Sequence, residues 1–539
     1  MSVSGGNAST TYFLSGGFSK TESPVDENLL ERYSATGRFN SDVNELIDIG
    51  ATFRFGYVNS LTNTQANLDN IAQAPPWQPI FNQNGPFGLG FQSVFDSNGD
   101  LLFGPETNSN VFASQNMNRT DYQVIRNIGS GFIEISPVQS LQIKATINAD
   151  YSRNQRSQFQ DIREALFDPQ SSSIDLDEEE TVGSFAQRNL RNHNLSGEFS
   201  VNFVQDFGKH SVNILGNAML QRFGFDGLVG STEFLRSRDN DRRFIEEIAD
   251  REQINVFSDV QRDALRGFLI RSSYKYDDTY MVDVTVRHDG SSRFAENFRW
   301  GTFPSFSAAW RISNESFMQS FDFIDDLKIR GGWGRLGNQE TRRFAFLSTV
   351  GTEPTLGLGS GNGDSRGNVE PGARLPDFPT PELSWETVTS SSIGCESTLL
   401  ENTINFSFEY YRRDTDGILQ TVQIAPSVGN ENNPVFNVAQ VRNTGVELTA
   451  GYTKFFDEFQ FRINGNFSTV NNEVIELANG QPFGGTTSRI EEGRPIGFLW
   501  GLEVDGIFQS QQEIDEWNQN FSEPGAVKSP GDIRFKDTN

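Results

Sequence analysis

Cysteine and histidine are scarce in this chain, and their scarcity excludes several kinds of functional site. Among 539 residues there is one cysteine, Cys395, and there are three histidines, His193, His210 and His288. A single cysteine excludes an intramolecular disulfide and any metal site with several cysteine ligands. Three histidines leave little for a zinc site or for catalysis by histidine. The composition therefore disfavours a disulfide framework, a zinc site and catalysis by histidine, and it indicates no cofactor.

Long apolar runs and net positive charge are also absent. No segment approaches the ~20 apolar residues of a membrane-spanning helix, which excludes a helical membrane protein. The net charge of −27 argues against nucleic acid as a partner, because such binding depends on neutralising phosphates. The first residues, MSVSGGNASTTYF, lack the basic start and apolar core of a signal peptide. Taken alone, that feature suggests a cytoplasmic protein. Disorder is excluded as the global state, because aromatic residues make up 12% of the chain.

Strict alternation of apolar and polar residues is the strongest pattern that is present. It is clearest in four segments, 141–151, 195–203, 404–410 and 459–468. Successive side chains of a β-strand point to opposite faces, so each segment has one apolar face and one polar face. Counting segments of this kind predicts about sixteen strands.

Strand length and spacing favour a large antiparallel transmembrane β-barrel. Many segments reach the ~9–11 residues that a tilted membrane strand needs, beyond the ~5–6 of a soluble strand. Short and long connections alternate, as periplasmic turns and extracellular loops do in such barrels. The short ones are predicted near 42–43, 136–138, 206–208, 277–278, 400–401 and 455–457, and the long ones near 59–118, 154–187, 224–258, 338–383, 414–436 and 471–493. A two-layer soluble β protein with one polar face per sheet is the alternative.

The barrel interpretation predicts which side chains meet lipid and which line a wet lumen. Apolar faces should point away from the barrel axis and polar faces toward it. The outward set is Ile143, Ile147, Phe406, Phe408, Phe461 and Ile463, and the inward set is Lys144, Asn148, Ser407 and Arg462.

A possible calcium loop has a simpler alternative. Asp96, Asn98 and Asp100 resemble the start of a calcium-binding loop, although position 101 is Leu101 where that loop has glycine. Asn98 and Gly99 between apolar residues equally predict a hairpin turn, which we prefer.

Other candidate sites also have structural alternatives. The acidic run 175–180 is interpreted as a solvated loop face, with cation bridging as the alternative. The glycine-rich run 357–367 lacks the spacing of a phosphate loop and is interpreted as an outer loop. Aromatic residues on the first long loop either stack on sugar rings or pack the loop, and we prefer packing; they are Trp77, Phe81, Phe87 and Phe91.

Two further local patterns predict structure rather than chemistry. His288 and Asp289 with Ser291 and Ser292 have the composition of a catalytic triad, but adjacent residues on a strand point to opposite faces. Ser510 and Glu513 form a capping box that predicts a helix over 511–518, and another short helix is predicted near 314–320.

The stretch 287–311, RHDGSSRFAENFRWGTFPSFSAAWR, resembles a hallmark of the SusC/RagA class of TonB-dependent outer-membrane transporters. The class has R-x-D-G-S-S-R-F, then R-W-G-x-F-P-S, then S-A-x-W-R-I. The residues that match are Arg287, Asp289, Gly290, Ser291, Ser292, Arg293, Phe294, Arg299, Trp300, Gly301, Phe303, Pro304, Ser305, Trp310 and Arg311. Segments 325–339, 383–388, 443–448 and 531–537 also look familial, so the resemblance covers nearly the whole chain.

The resemblance implies an active transporter of the bacterial outer membrane, not an enzyme. Its expected cargo is large nutrients, oligosaccharides or peptides, and its expected partners are the membrane lipid, a SusD-like surface lipoprotein that acts as a lid, and the TonB complex that supplies energy. A non-transporting cell-surface β-barrel or adhesive structural protein is the alternative.

Residues 1–539 are expected to form part of the barrel domain, about sixteen of roughly twenty-two strands. The signal peptide, the plug domain, the TonB-contacting segment and the last strands are expected to lie outside them. Such a fragment alone is expected not to support uptake.

The stretch 287–311 is predicted to form a structural corner at the outer mouth rather than a substrate site. Arg293 and Arg299 flank Glu296, which predicts a charge network within the loop. Three aromatic residues are predicted to join an interfacial girdle: Trp300, Phe303 and Trp310. Because surface ion pairs contribute only ~0–1 kcal/mol, Trp300→Ala is expected to lower the yield of folded barrel more than Arg293→Ala.

Overall fold

β-strands dominate the fold. The computed structural model describes residues 1–23, 28–62, 94–95, 101–103, 119–161, 183–235, 254–341, 343–347, 350, 355–357, 369–371, 379–422, 427, 433–485, 487–520 and 529–536. None of the helices in these ranges is long and apolar enough to span a membrane.

The strands and the helix within those ranges are as follows. They are β1 (Ser2–Gly6), β2 (Thr10–Glu22), β3 (Leu29–Asn44), β4 (Ile47–Thr62), β5 (Val94–Phe95), β6 (Leu101–Phe103), β7 (Arg119–Val138), β8 (Leu141–Asp161), β9 (Gly183–Phe207), β10 (His210–Leu235), β11 (Asn255–Tyr276), β12 (Tyr280–Ser291), β13 (Trp300–Arg311), β14 (Ile324–Asn338), β15 (Thr355–Gly357), β16 (Val369–Pro371), β17 (Glu386–Leu399), β18 (Ile404–Thr421), β19 (Val435–Phe455), β20 (Gln460–Glu476), β21 (Phe483–Gly484), β22 (Ser488–Ile490), β23 (Phe498–Leu499), β24 (Val504–Ile507), α1 (Gln511–Asn520) and β25 (Ile533–Phe535). Short 3₁₀ turns cover Glu296–Phe298, Ile312–Asn314, Ser316–Met318 and Ala478–Gly480.

Sixteen of these strands form one antiparallel sheet, which confirms the predicted fold class and strand number. Its order is β1-β2-β3-β4-β7-β8-β9-β10-β11-β12-β13-β14-β17-β18-β19-β20, so each long strand lies beside its neighbour in sequence. The remaining strands form four small sheets among the described residues.

Contacts divide the chain into two compact units. Unit 1 contains Met1–Tyr274 and Thr285–Arg293, and unit 2 contains Lys275–Val284 and Phe294–Asn539.

In unit 1 the apolar faces of the strands are the exposed ones. Ile147 on β8 is 58% exposed, whereas the neighbouring Lys144 and Asn148 are half-buried. On β9, Leu195 and Phe199 are likewise exposed. A soluble sheet would bury these side chains, so the pattern contradicts the two-layer alternative and agrees with lipid on the apolar face.

Unit 2 shows the same arrangement, except that both faces of β20 are exposed over most of its length. Phe461 and Ile463 on β20 are exposed, and so is Phe408 on β18, whereas Phe406 is half-buried. On β20 the polar face is exposed as well, which includes Arg462. The register still places the polar residues of neighbouring strands on one face, since Ser407 lies opposite Glu396 and Thr449.

Most connections alternate in length, as predicted, but the strands are longer than expected. Short connections cover 45–46, 139–140, 208–209, 277–279, 400–403 and 456–459. The connections on either side of β13 depart from the pattern, because 312–323 is longer than 292–299. At their other ends, β9 and β10 extend to Gly183 and Leu235, well into the segments predicted as loops. Alternation fades there because a strand that extends beyond lipid no longer needs an apolar face.

Candidate functional site

The polar faces of β3, β4, β7, β8 and β9 form a continuous hydrophilic surface in unit 1. The register places Arg38 opposite Thr52, Thr52 opposite Ser130, Ser130 opposite Asn148 and Asn148 opposite Ser196. Residues directly opposite each other share a face of the sheet, so these five side chains lie on one surface. Asn148 Nδ2 donates a hydrogen bond to Ser196 Oγ at 3.2 Å.

The next row of the same surface carries more charge. It runs from Arg54 through Ile128 and Asp150 to Asn194. Arg126 forms a bidentate pair with Asp150, with nitrogen–oxygen distances of 2.6 and 3.1 Å. The two rows line a cavity of about 310 Å³ that includes Arg38 and Arg54.

The charge of this surface changes along the strands. Toward the short connections, Asp42 lies opposite Asp48, and Asp48 lies opposite Glu134. Glu134 accepts a hydrogen bond from Lys144 Nζ at 3.0 Å. We call Asp42, Asp48 and Glu134 the acidic end.

Toward the long connections the same surface is basic. Arg156 on β8 lies opposite Arg188 on β9, six residues farther from the short connections than Asp150 and Asn194. We call Arg38, Arg54, Arg126, Arg156 and Arg188 the basic stripe.

The polar surface of unit 2 has paired charges instead. Lys328 Nζ lies 2.6 Å from a Glu396 carboxylate oxygen, and Arg330 Nε lies 2.9 Å from the other. Arg330 also pairs with Glu409 on β18. Both cations therefore have carboxylate partners on adjacent strands.

The unit 1 part of the 287–311 stretch is held by a buried ion pair. Arg293, 8% exposed, places its Nε 2.9 Å from Oδ2 of the equally buried Asp263 on β11. Ser291 is fully buried and accepts a hydrogen bond from the Arg293 backbone at 3.2 Å. Glu296 takes part in no ion pair within the described ranges, so the predicted charge network around it is wrong. Glu296 is close to Arg293 in sequence, but the ion-pair partner of Arg293 is Asp263, which lies on another strand.

An ion pair with Arg287 positions the Asp289 carboxylate, and the adjacent His288 does not. Arg287 Nε lies 2.6 Å from Asp289 Oδ2, two residues along the same strand face. A Cβ at Gly267 would lie 2.3 Å from Asp289 Oδ1, so a larger residue at that point of β11 would displace the Asp289 carboxylate. Asp289 therefore lies in a tightly packed structural contact, as expected for a corner and not for a triad.

The unit 2 part of the 287–311 stretch packs around Trp385, which was not among the residues predicted to form the corner. The Trp385 ring lies 5.3 Å from both Phe294 and Phe303, and its Nε1 donates a hydrogen bond to the Arg299 carbonyl at 3.0 Å. Phe303 is only 6% exposed, so its predicted place in an interfacial girdle is wrong. Trp385 lies in segment 383–388, and the resemblance of that segment to the family was the signal that could have identified this tryptophan from the sequence.

Trp300 and Trp310 are exposed, as a girdle requires, but they lie at opposite ends of β13. Trp310 stacks on Tyr280 with centroids 6.4 Å apart, and both donate hydrogen bonds to Glu315 Oε1, at 3.0 and 2.6 Å. Trp310 therefore belongs to the end with short connections and not to the predicted outer corner.

Most of the loop candidates lie outside the described residues. These are Asp96, Asn98, Asp100, Trp77, Phe81, Phe87, Phe91, the run 175–180 and positions 358–367. β5 and β6 pair on either side of Asn98 and Gly99, which confirms the hairpin. Within the described ranges no cluster of three metal-ligating side chains occurs.

α1 begins where predicted, but only half of the predicted capping box forms, because the Glu513 carboxylate binds the backbone N–H of Gln509 and not that of Ser510. The backbone N–H of Glu513 donates to Ser510 Oγ at 3.3 Å, and Glu513 accepts a hydrogen bond from Gln509. The short helix predicted near 314–320 is replaced by the two 3₁₀ turns at 312–318.

Comparisons with known proteins agree with this architecture. A family model described as TonB dependent receptor-like, beta-barrel matches residues 4–496. TonB-dependent receptor P26 of Formosa agariphila is 25% identical over 100% of this chain and 52% of its own length. TonB-dependent receptor SusC of Bacteroides thetaiotaomicron is 23% identical over 96% of this chain and 51% of its own length.

A solved structure of the RagAB peptide transporter has the same fold. It superposes with a TM-score of 0.72 at 21% identity, covering 94% of this chain and 54% of that one. The chain thus spans about half the length of the curated relatives it matches.

Proposed function

Because the chain belongs to the TonB-dependent receptor-like β-barrel family, whose barrels lie in the bacterial outer membrane, we propose that it forms the wall of a transporter that imports large nutrients. The family consists of receptors and transporters and not of enzymes. The proposal assigns no catalytic residue and no cofactor to the chain.

The two-faced character of the strands carries this proposal. Exposed Ile147 and Phe199 present an apolar surface, while Asn148 and Ser196 on the other face form part of a hydrogen-bonded polar lattice. Such strands suit a wall with lipid on one side and a water-filled passage on the other. A polar passage is what a hydrated oligosaccharide or peptide needs in order to cross the outer membrane.

We propose the cargo and the partners of the transporter by analogy with its relatives. Relatives named SusC and RagAB, the latter a peptide transporter, support oligosaccharides or peptides as cargo. They also support a SusD-like lipoprotein as a lid and the TonB complex as the source of energy. The non-transporting adhesive alternative gains no support from these names.

We further propose that residues 1–539 belong to a single barrel domain. In the intact transporter they would contribute sixteen strands to a barrel of roughly twenty-two. A plug domain and a TonB-contacting segment would complete the transporter.

Deleting the full reading frame in the source bacterium tests the proposal. The deletion strain should lose uptake of one class of fluorescently labelled oligosaccharides or oligopeptides, and the full-length gene should restore it. Treating wild-type cells with a protonophore should also abolish that uptake, because the energy comes from the inner membrane. Unchanged uptake of every labelled nutrient, with loss of surface adhesion, would instead support the adhesive alternative.

A further inference from the structure

The basic stripe of unit 1 is unexpected in a chain whose net charge is −27. Its five arginines share one face of β3, β4, β7, β8 and β9. Asp150, which pairs with Arg126, is the acidic residue that the register places among them. The polar surface of unit 1 therefore carries a local excess of positive charge from the middle of the strands toward the long connections.

Arg38 and Arg54 are the two members of this stripe that line the cavity. Thr52 lies directly opposite Arg38 and two residues before Arg54, so the arginines are diagonal neighbours, about 7–8 Å apart at Cβ. Neither guanidinium forms an ion pair or a side-chain hydrogen bond within the described ranges. In unit 2, by contrast, Lys328 and Arg330 at comparable positions are paired with carboxylates.

The surroundings of these two arginines have the features of a binding site. Hydroxyl and amide groups of Ser130, Asn148 and Asn194 line the same cavity of about 310 Å³. The carboxylate that also lines this cavity, Asp150, is paired with Arg126, which leaves the guanidinium groups of Arg38 and Arg54 available to a planar anion.

We propose that Arg38 and Arg54 form an anion-binding site for carboxylate groups on the imported nutrient, which is then an acidic oligosaccharide or an acidic peptide. This inference rests on the proposed transport function and specifies its substrate class. Each guanidinium donates a forked pair of hydrogen bonds to one carboxylate, and the neutral amides and hydroxyls bind the neighbouring polar groups of the nutrient.

The rest of the polar surface supports the same selectivity. Arg156 and Arg188 extend the positive potential toward the long connections, where it raises the local concentration of anions. Asp42, Asp48 and Glu134 oppose anions near the short connections. Rings of arginine select anions in other pores by the same electrostatics.

Binding to the purified full-length receptor tests the site directly. The probes are an oligogalacturonate and its methyl ester, and an oligoglutamate and the matching oligoglutamine, each titrated by calorimetry. At least one acidic probe should bind and its neutral counterpart should not, and the binding should weaken as salt is added. The acidic probe that binds identifies whether the carboxylates come from a sugar or from a peptide.

Arg38→Gln with Arg54→Gln should weaken binding of that probe by roughly tenfold or more, because two charge-assisted contacts are lost. Arg38→Lys with Arg54→Lys keeps the charge but loses the forked geometry, so it should lose less affinity. The control, Arg413→Gln with Arg462→Gln, removes the same charge from exposed positions of unit 2 and should leave the affinity unchanged.

Three results would overturn the site. The first is that neither acidic probe binds the wild-type receptor. The second is that the Arg38/Arg54 variant and the control variant weaken binding equally. The third is that the Arg38/Arg54 variant keeps its affinity but melts several degrees lower. The last result would mean that the two arginines pair with carboxylates of the receptor itself. If the probe binds as expected but the deletion strain imports it normally, the transport proposal fails and the anion site stands.

Discussion

Arg293 and Asp263 form the most deeply buried ion pair among the described residues, and their substitution should be costly. Arg293→Ala removes the ion-pair partner of the buried Asp263 carboxylate, and breaking a buried pair in this way typically costs ~3–5 kcal/mol of unfolding free energy. Trp300, 43% exposed, should cost less when it is changed to alanine. This order reverses the expectation drawn from sequence. Urea unfolding of the full-length receptor in lipid vesicles measures both values.

The matched control for this pair is the double variant Asp263→Ala with Arg293→Ala. Removing both charges should destabilise the receptor by clearly less than the sum of the single variants, because each single variant already loses the interaction between the two charges. A simple sum of the two effects would show that the ion pair is not what makes the corner stable.

Phe294 and Phe298 provide a second comparison within one loop. Phe294 is 0% exposed and packs on Trp385, so Phe294→Ala should cost ~3–5 kcal/mol of unfolding free energy. Phe298 is 37% exposed, and its change to alanine should stay within about 0.5 kcal/mol. Equal effects in the same unfolding assay would contradict the packing around Trp385.

The faces of β8 supply a test of which side meets lipid. Ile147→Arg puts a charge on the exposed apolar face and should cost ~2–4 kcal/mol if that position lies near the bilayer midplane. Asn148→Arg, one residue along, puts the same charge on the polar face and should cost much less. Refolding yields in vesicles of defined lipid check this order, and a larger penalty for Asn148→Arg would assign the faces the other way round.

The turn after β17 holds three consecutive non-glycine residues in the left-handed region. Leu400, Glu401 and Asn402 have φ values of 58°, 55° and 60°. Because this conformation costs an L-residue roughly 1 kcal/mol or more, Leu400→Gly should raise the unfolding free energy of the receptor. Leu399→Gly, in the strand itself, should lower it by at least about 0.5–1 kcal/mol, because the half-buried leucine side chain is lost as well. Destabilisation by both variants to the same degree would show that the Leu400 side chain matters more than its backbone.

Alternation in the sequence predicted the strands and their faces, because it is a local consequence of having two different environments on either side of a sheet. It did not predict how far β9 and β10 extend, since alternation fades where a strand leaves the lipid. It also missed the contact of Arg293 with Asp263 and the packing of Trp385 on Phe294. Those partners lie on distant segments, and only the register of the sheet brings them together.

The charge of the molecule is distributed unevenly between its two units. Unit 1 carries the basic stripe on its polar surface, whereas Lys328 and Arg330 of unit 2 are paired with carboxylates. Under the proposed transport function, we expect anionic cargo to bind the polar surface of unit 1 in preference to that of unit 2. The net charge of −27 alone would have suggested that anions are repelled everywhere.

Accessibility of paired cysteines tests most directly the claim that the apolar faces meet lipid and the polar faces meet water. In the full-length receptor with Cys395→Ser, single cysteines replace Ile147 or Asn148 in unit 1, and Phe408 or Ser407 in unit 2. Each is probed in native outer membranes with a water-soluble maleimide, and then with a fluorophore quenched by nitroxide lipids. Positions 148 and 407 should react with the maleimide, and positions 147 and 408 should be quenched by lipid. Quenching at 148 and 407, or no lipid quenching at 147 and 408, would contradict the account.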